Sequence, residues 1–141
     1  MKSNQTILIG SPLLGREAAF LRTLCADLAG LNVLIIANFV VRSSRQIDFL
    51  VVTPTNAVLI ELKNYRFPVF GQMNGVWSVS DAAGNATPDP RFNPWAQTLE
   101  ESYALSDELK RDQSRKRTAP QPNGGYYKLF RAFVCFYPEI V

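Results

Sequence analysis

"QIDFLVVTPTNAVLIELK", residues 46–63, decides the fold. Two runs of Val, Ile, Leu and Phe flank the turn residues "PTN", so they read as paired strands of a tight hairpin around Pro54 to Asn56. Charge interrupts both runs. Asp48 opens the first, and Glu61 and Lys63 lie within the second. Side chains alternate between the faces of a strand, so Glu61 and Lys63 emerge together while Ile60 and Leu62 point the other way. Asp48 stands about six residues before the turn and Glu61 about five after it, near level on strands spaced about 4.8 Å apart.

Upstream, "LNVLIIANFVV" reads as a third strand; the apolar residues of all three are so continuous that both sheet faces must be covered. In "SPLLGREAAFLRTLCADLAG", Leu13, Phe20, Leu21, Leu24 and Leu28 recur at three- and four-residue steps, which predicts an amphipathic helix closing at Gly30. Glu17 sits four residues from Leu13 and from Leu21, inside the apolar stripe, where a carboxylate is costly unless a cation meets it.

Downstream, Asn74-Gly75 between β-rich flanks predicts a type I′ hairpin, followed by a loop in "DAAGNATPDPRF". Asn93 before Pro94 marks the start of a helix of about five turns through "NPWAQTLEESYALSDELKR", with Trp95, Leu99 and Tyr103 as its apolar stripe. "TAPQPNGG" ends it, and "YKLFRAFVCFY" is a last strand. The expected order is helix, three strands, small hairpin, helix, strand, in one domain over 1–141 with its core at about 13–137. The chain stops soon after the last strand, which suggests the N-terminal part of a longer protein.

Composition removes several chemistries. With no histidine, Ser/His and Cys/His nucleophile arrangements are excluded, and Cys25 and Cys135, in apolar surroundings without a CxxC, read as buried free thiols. No stretch approaches the apolar length of a membrane span, and the first ten residues are too polar for a secretory signal, so a cytoplasmic location is expected. The net charge of +3 is modest, yet Lys110, Arg111, Arg115, Lys116 and Arg117 cluster. They fit a solvated helix end answering the helix dipole, or a phosphate-contacting patch.

Hydrolytic chemistry must then come from carboxylates, lysine and a metal. Taken singly, Glu61 and Lys63 suit an exposed edge strand, Asp48 a strand-opening turn, and Glu17 a rim position. Their conjunction favours a site. Gathered carboxylates repel and stay ionised only beside a cation, and oxygen donors favour Mg²⁺ or Mn²⁺. Lys63 on the same face would offset charge on a phosphate or orient the attacking hydroxide.

"GREAAFLRTL", "QIDFLVVTPTNAVLIELKNY", "GVWSV" and "NPWAQTLEES" together resemble the nuclease-related domain, NERD, of the PD-(D/E)XK nuclease superfamily, over roughly residues 13 to 137. The resemblance implies an α/β, restriction-endonuclease-like αβββαβ core, a mixed sheet flanked by helices, here with the extra hairpin. It implies Asp48, Glu61 and Glu17 as ligands of Mg²⁺ or Mn²⁺, Lys63 as the catalytic lysine, and Gln97 as a polar residue aimed at the site from the second helix. Related nucleases often carry tyrosine four residues after that glutamine, where this chain has Glu101. Relatives are frequently fused to helicase, kinase or zinc-ribbon segments.

The expected function is metal-dependent hydrolysis of DNA; the sequence itself does not separate DNA from RNA. Lys2, Arg16, Arg45, Arg66 and the cations from Lys110 to Arg117 are candidate backbone contacts. The competing expectation is a non-catalytic nucleic-acid-binding or interaction module that keeps the fold. The modest charge and the lack of an obvious aromatic platform for single strands favour it. Oligomeric state leaves no trace in the sequence.

Overall fold

The computed structural model describes residues 4–41, 45–89, 92–115 and 130–137, with backbone alone at 113–115 and at 130. Its main body is a five-stranded mixed sheet. In chain order the elements are β1 (Gln5–Ile9), α1 (Gly15–Asp27), β2 (Val33–Val40), β3 (Gln46–Val52), β4 (Ala57–Lys63), β5 (Val69–Phe70), β6 (Trp77–Ser80), β7 (Ala86–Asp89), α2 (Pro94–Arg115) and β8 (Phe130–Phe136). The sheet runs β1-β2-β3-β4-β8. Its outer pairs are parallel, β1 with β2 and β4 with β8, and the central β2-β3-β4 meander is antiparallel.

The predicted hairpin is the centre of this sheet. Phe49 pairs with Ile60 and Val52 with Ala57. Thr53 closes the turn: its backbone N–H donates to the Asn56 carbonyl, and its Oγ1 accepts from the Asn56 backbone N–H. Alternation then sorts the apolar residues into two cores. Ile35, Ala37, Phe49, Val51 and Leu62 pack with Phe20 and Leu21 of α1. Leu50, Ala57 and Leu59 pack on the opposite face with Leu105 of α2. Phe49 is fully buried and stacks at 5.1 Å on Phe20, so truncating it to alanine costs about 3–5 kcal/mol.

Both helices lie where sequence places them. α1 buries Glu17, Phe20 and Leu21, and the chain leaves it through Gly30 at φ 90°, a left-handed turn that suits glycine. Asn93 caps α2, its Oδ1 accepting from the Ala96 N–H at 2.9 Å. At 22 residues α2 is about a turn longer than expected. Cys25 and Cys135 are free thiols, half-buried against the α1-side core.

Three expectations are corrected. A strand, β1, precedes α1; its residues beyond Gln5 are exposed, so no burial pattern announces it. The segment around Asn74-Gly75 is not a two-residue turn, because β5 and β6 pair through Phe70 and Ser78 and residues 71–76 connect them. Only Gly75 takes positive φ there, whereas a type I′ turn needs it at both central residues. Trp77 sets this loop: its ring lies over Gly71, where a Cβ would come within 2.1 Å of it, and its Nε1–H donates to the Gln72 carbonyl. Finally, "DAAGNATPDPRF" is not wholly a loop. Asp81 Oδ1 accepts from the Ala83 and Asn85 N–H groups, the chain turns, and β7 pairs with β6, so the small hairpin is a three-stranded sheet.

Candidate active site

The site forms where the β3-β4 ladder stops. Pairing ends at Phe49 with Ile60, so the next step in register sets Asp48 opposite Glu61. The Asp48 carboxylate replaces the missing backbone bond: its Oδ2 accepts from the Leu62 N–H at 2.8 Å. Glu61 and Lys63 follow Ala57 and Leu59 on the face that α2 covers, and Glu61 is only 4% exposed.

A hydrogen-bonded network joins β4 to α2. Lys63 Nζ donates to Glu61 Oε1 and to Gln97 Oε1, each at 2.8 Å. Gln97 Nε2 donates to Glu61 Oε1 at 2.8 Å and to Glu101 Oε1 at 2.9 Å. These contacts fix the sense of the Gln97 amide, its oxygen toward the ammonium and its nitrogen toward two carboxylates. The stripe expected from Trp95, Leu99 and Tyr103 is corrected: Tyr103 is exposed, and Pro94, Thr98, Glu101, Leu105 and Ser106 are the buried positions. Gln97 sits beside that buried face, which is why it reaches the site.

Glu101 is the residue that sequence reasoning missed as a site member. It is 2% exposed, and its Oε2 has no hydrogen-bond partner. The available signals were its place four residues after Gln97 on the same helical face and its departure there from the tyrosine of related nucleases.

The acids feel one another's charge. Burial, and then the Glu61 charge, push the Asp48 carboxyl up to about 6. Burial also raises Glu61, with the adjoining Glu101 adding to the rise and Lys63 opposing it. Burial raises Glu101 in turn, against the hydrogen bond from Gln97. Glu17 is buried in the first turn of α1. Its Oε2 accepts from the Leu14 N–H at 2.8 Å, closing the first turn of α1, and its charge is the smallest of the influences raising Asp48.

Among the described residues, no three His, Cys, Asp or Glu side chains are grouped closely enough to cage a metal ion. Donors arranged as adjoining pairs, all oxygen, fit a different kind of site. A hard cation such as Mg²⁺ is held by one or two carboxylates and keeps water and phosphate in its other positions. The half-buried Asp48 and the buried Glu61, both with raised proton affinity, are chemically suited to such an ion.

The expected backbone-contact cations are scattered. Arg45 pairs with Glu100 at 2.6 Å on the surface, and Lys110 and Arg111 lie within 4.0 Å of Asp107 and Glu108 along α2. Arg66 is exposed. Arg16 is half-buried in the first turn of α1, with its Nε unpartnered. Lys2, Lys116 and Arg117, and the side chain of Arg115, lie outside the described residues. Among the described residues no helix is long and apolar enough to cross a membrane.

Searches of curated proteins and of solved structures gave no match. The family model described as "nuclease-related domain" matches residues 16–137, nearly the whole chain and every side chain of the network above. With its mixed sheet between two helices, the chain belongs to the nuclease-related domain family, NERD, within the PD-(D/E)XK nuclease superfamily.

Proposed function

We propose that this protein hydrolyses phosphodiester bonds of DNA, using a Mg²⁺ or Mn²⁺ ion held by Asp48 and Glu61. The supporting observation is the level placement of these two carboxylates at the end of one ladder, with the Lys63 ammonium 2.8 Å from Glu61 on the same face. When bound, the cation supplies positive charge to the phosphate and acidifies the attacking water.

The chain's own groups account for the rest. Hydrolysis adds a water oxygen to phosphorus and breaks one ester P–O bond, and negative charge grows on the phosphate and on the departing oxygen. Lys63 spends two of its three N–H bonds on Glu61 and Gln97, which leaves one to meet that charge or to hold the attacking water. Gln97 keeps the ammonium from pivoting away. Glu61 therefore serves both the cation and Lys63, and Asp48, anchored by the Leu62 amide, serves the cation alone. Glu17, buried at the start of α1, adds its charge to that pair. Arg16, at the start of the same helix and with its Nε unpartnered, is a candidate for a flanking phosphate.

The test is cleavage of plasmid DNA, linear DNA and an RNA of matching sequence with Mg²⁺, Mn²⁺ or chelator, beside Lys63→Ala. Metal-dependent cleavage that falls about 10²–10³-fold in the variant is expected. Binding without cleavage in every condition would identify a non-catalytic nucleic-acid-binding module instead.

A further inference from the structure

Asp48 is unpaired on both sides of β3. Toward β4 the ladder ends at Phe49 with Ile60. Toward β2 it runs through Ala37 with Phe49, omits the step of Asn38 with Asp48, and resumes at Phe39 with Ile47. The register is the same before and after the gap, so no residue is inserted and this is not a bulge. The cause is Asn38, which is 6% exposed and adopts φ 51° in the middle of a strand. Asparagine is among the few side chains that take this left-handed conformation readily, and here it reverses the strand's faces. Ala37 belongs to the α1-side core, yet Phe39, which strict alternation would put beside it, packs in the α2-side core. Ile47 follows Phe39 into that core, opposite in sense to Phe49 and Val51. Both strands therefore turn over at one level, and Asp48 sits at the reversal.

The Asn38 carboxamide ties that level to the rest of the site. Its Nδ2 donates to the Ser11 and Pro12 carbonyls, at 3.3 and 3.0 Å, and its Oδ1 accepts from Gln46 Nε2. Its backbone carbonyl accepts from the Ser11 N–H at 2.8 Å. Gly10 lets the chain approach this closely, since a Cβ there would stand 2.7 Å from the Asn38 carbonyl oxygen. Ser11 and Pro12 lead directly into α1 and Glu17, while Gln46 lies two residues before Asp48. One buried amide thus spans the two segments that carry these acids.

We propose that Asn38 is a positioning residue: its left-handed backbone frees Asp48 from the β2 ladder, and its carboxamide fixes Asp48 and the entry to α1 relative to each other. Asn38 acts through Asp48, and its catalytic consequence rests on the hydrolysis proposed above.

The test compares the wild-type protein with Asn38→Gly, which accepts the same φ but lacks the carboxamide, and with Gln46→Leu, which removes only the donor to Asn38 Oδ1. Two readouts are taken without DNA: amide hydrogen exchange across β4 by NMR, and Mn²⁺ affinity by calorimetry. Because the Leu62 amide is held by Asp48 Oδ2, its exchange in Asn38→Gly should quicken about tenfold relative to the other β4 amides. Mn²⁺ affinity should fall about tenfold, as for loss of a support behind a metal ligand. Gln46→Leu should move both in the same direction by less, and it carries the test alone if the glycine variant does not fold. Leu62 exchange that changes only in step with the rest of β4 would overturn the proposal. If the wild type neither binds Mn²⁺ nor cleaves DNA while Leu62 exchange still quickens selectively, the hydrolysis reading fails and the placement of Asp48 by Asn38 stands.

Discussion

Gln97 and Glu101, one turn apart on α2, are joined by a 2.9 Å hydrogen bond from the Gln97 amide to the Glu101 carboxylate. The same amide nitrogen reaches Glu61, and the amide oxygen holds Lys63. The second helix thus contributes a paired amide and acid whose buried carboxylate braces the amide from behind. If Glu101 acts by bracing Gln97, Glu101→Ala should lower kcat about tenfold and leave KM for DNA unchanged, while Glu101→Gln, which keeps an acceptor oxygen, should retain most activity. Steady-state kinetics on a labelled duplex separates the two.

Glu101→Gln should also stabilise the metal-free protein. It removes one of two adjoining buried acids whose repulsion Lys63 offsets only in part, and a melting temperature higher by about 2–4 °C is expected. Calorimetry in chelator measures it; a fall in melting temperature would mean that the Glu101 charge is already satisfied.

Stability in chelator should decline with rising pH. Folded Asp48 keeps its proton up to about 6, against an ordinary value of 3.8, and Glu61 and Glu101 are raised in the same direction. Between those values the folded state holds protons that the unfolded chain has released, so this contribution is full below about pH 4 and is lost as pH rises through about 6. Melting curves from pH 4.5 to 8 should show the loss, and millimolar Mn²⁺ at pH 7.5 should restore it. A melting temperature that climbs across this range without metal would contradict the burial of these acids.

Lys63→Ala and Gln97→Ala should differ in kind. The first removes the cation that opposes the raised proton affinity of Glu61 and should lower cleavage about 10²–10³-fold while leaving DNA binding intact. The second leaves the ammonium on Glu61 alone and should slow cleavage about tenfold. Equal losses in single-turnover assays would show that the two act as one unit.

The centre of this site was legible from the hairpin alone. Counting from the turn puts Asp48 level with Glu61, and strand alternation puts Lys63 beside it. Glu17 was legible too, because helical spacing leaves it no outward face. α2 was misread because the usual signal is inverted there: Tyr103 points to solvent, while Thr98 and Glu101 take the buried face. Thr98 satisfies its hydroxyl on the Pro94 carbonyl, and Glu101 faces the acids, so polarity marks the inside of this helix. Asn38 was hidden differently. Within "LIIANFVV" it reads as one polar residue of a strand, and nothing in the sequence reveals a backbone dihedral. β1 escaped because an exposed edge strand carries no burial pattern.

The most direct measurement is the anomalous scattering of Mn²⁺ in crystals of the protein grown or soaked at pH 7.5. A peak about 2.0–2.3 Å from carboxylate oxygens of both Asp48 and Glu61 is expected, and it should vanish in crystals of Glu61→Gln. A peak elsewhere, or none at saturating Mn²⁺, would contradict the assignment of these two carboxylates as the cation site.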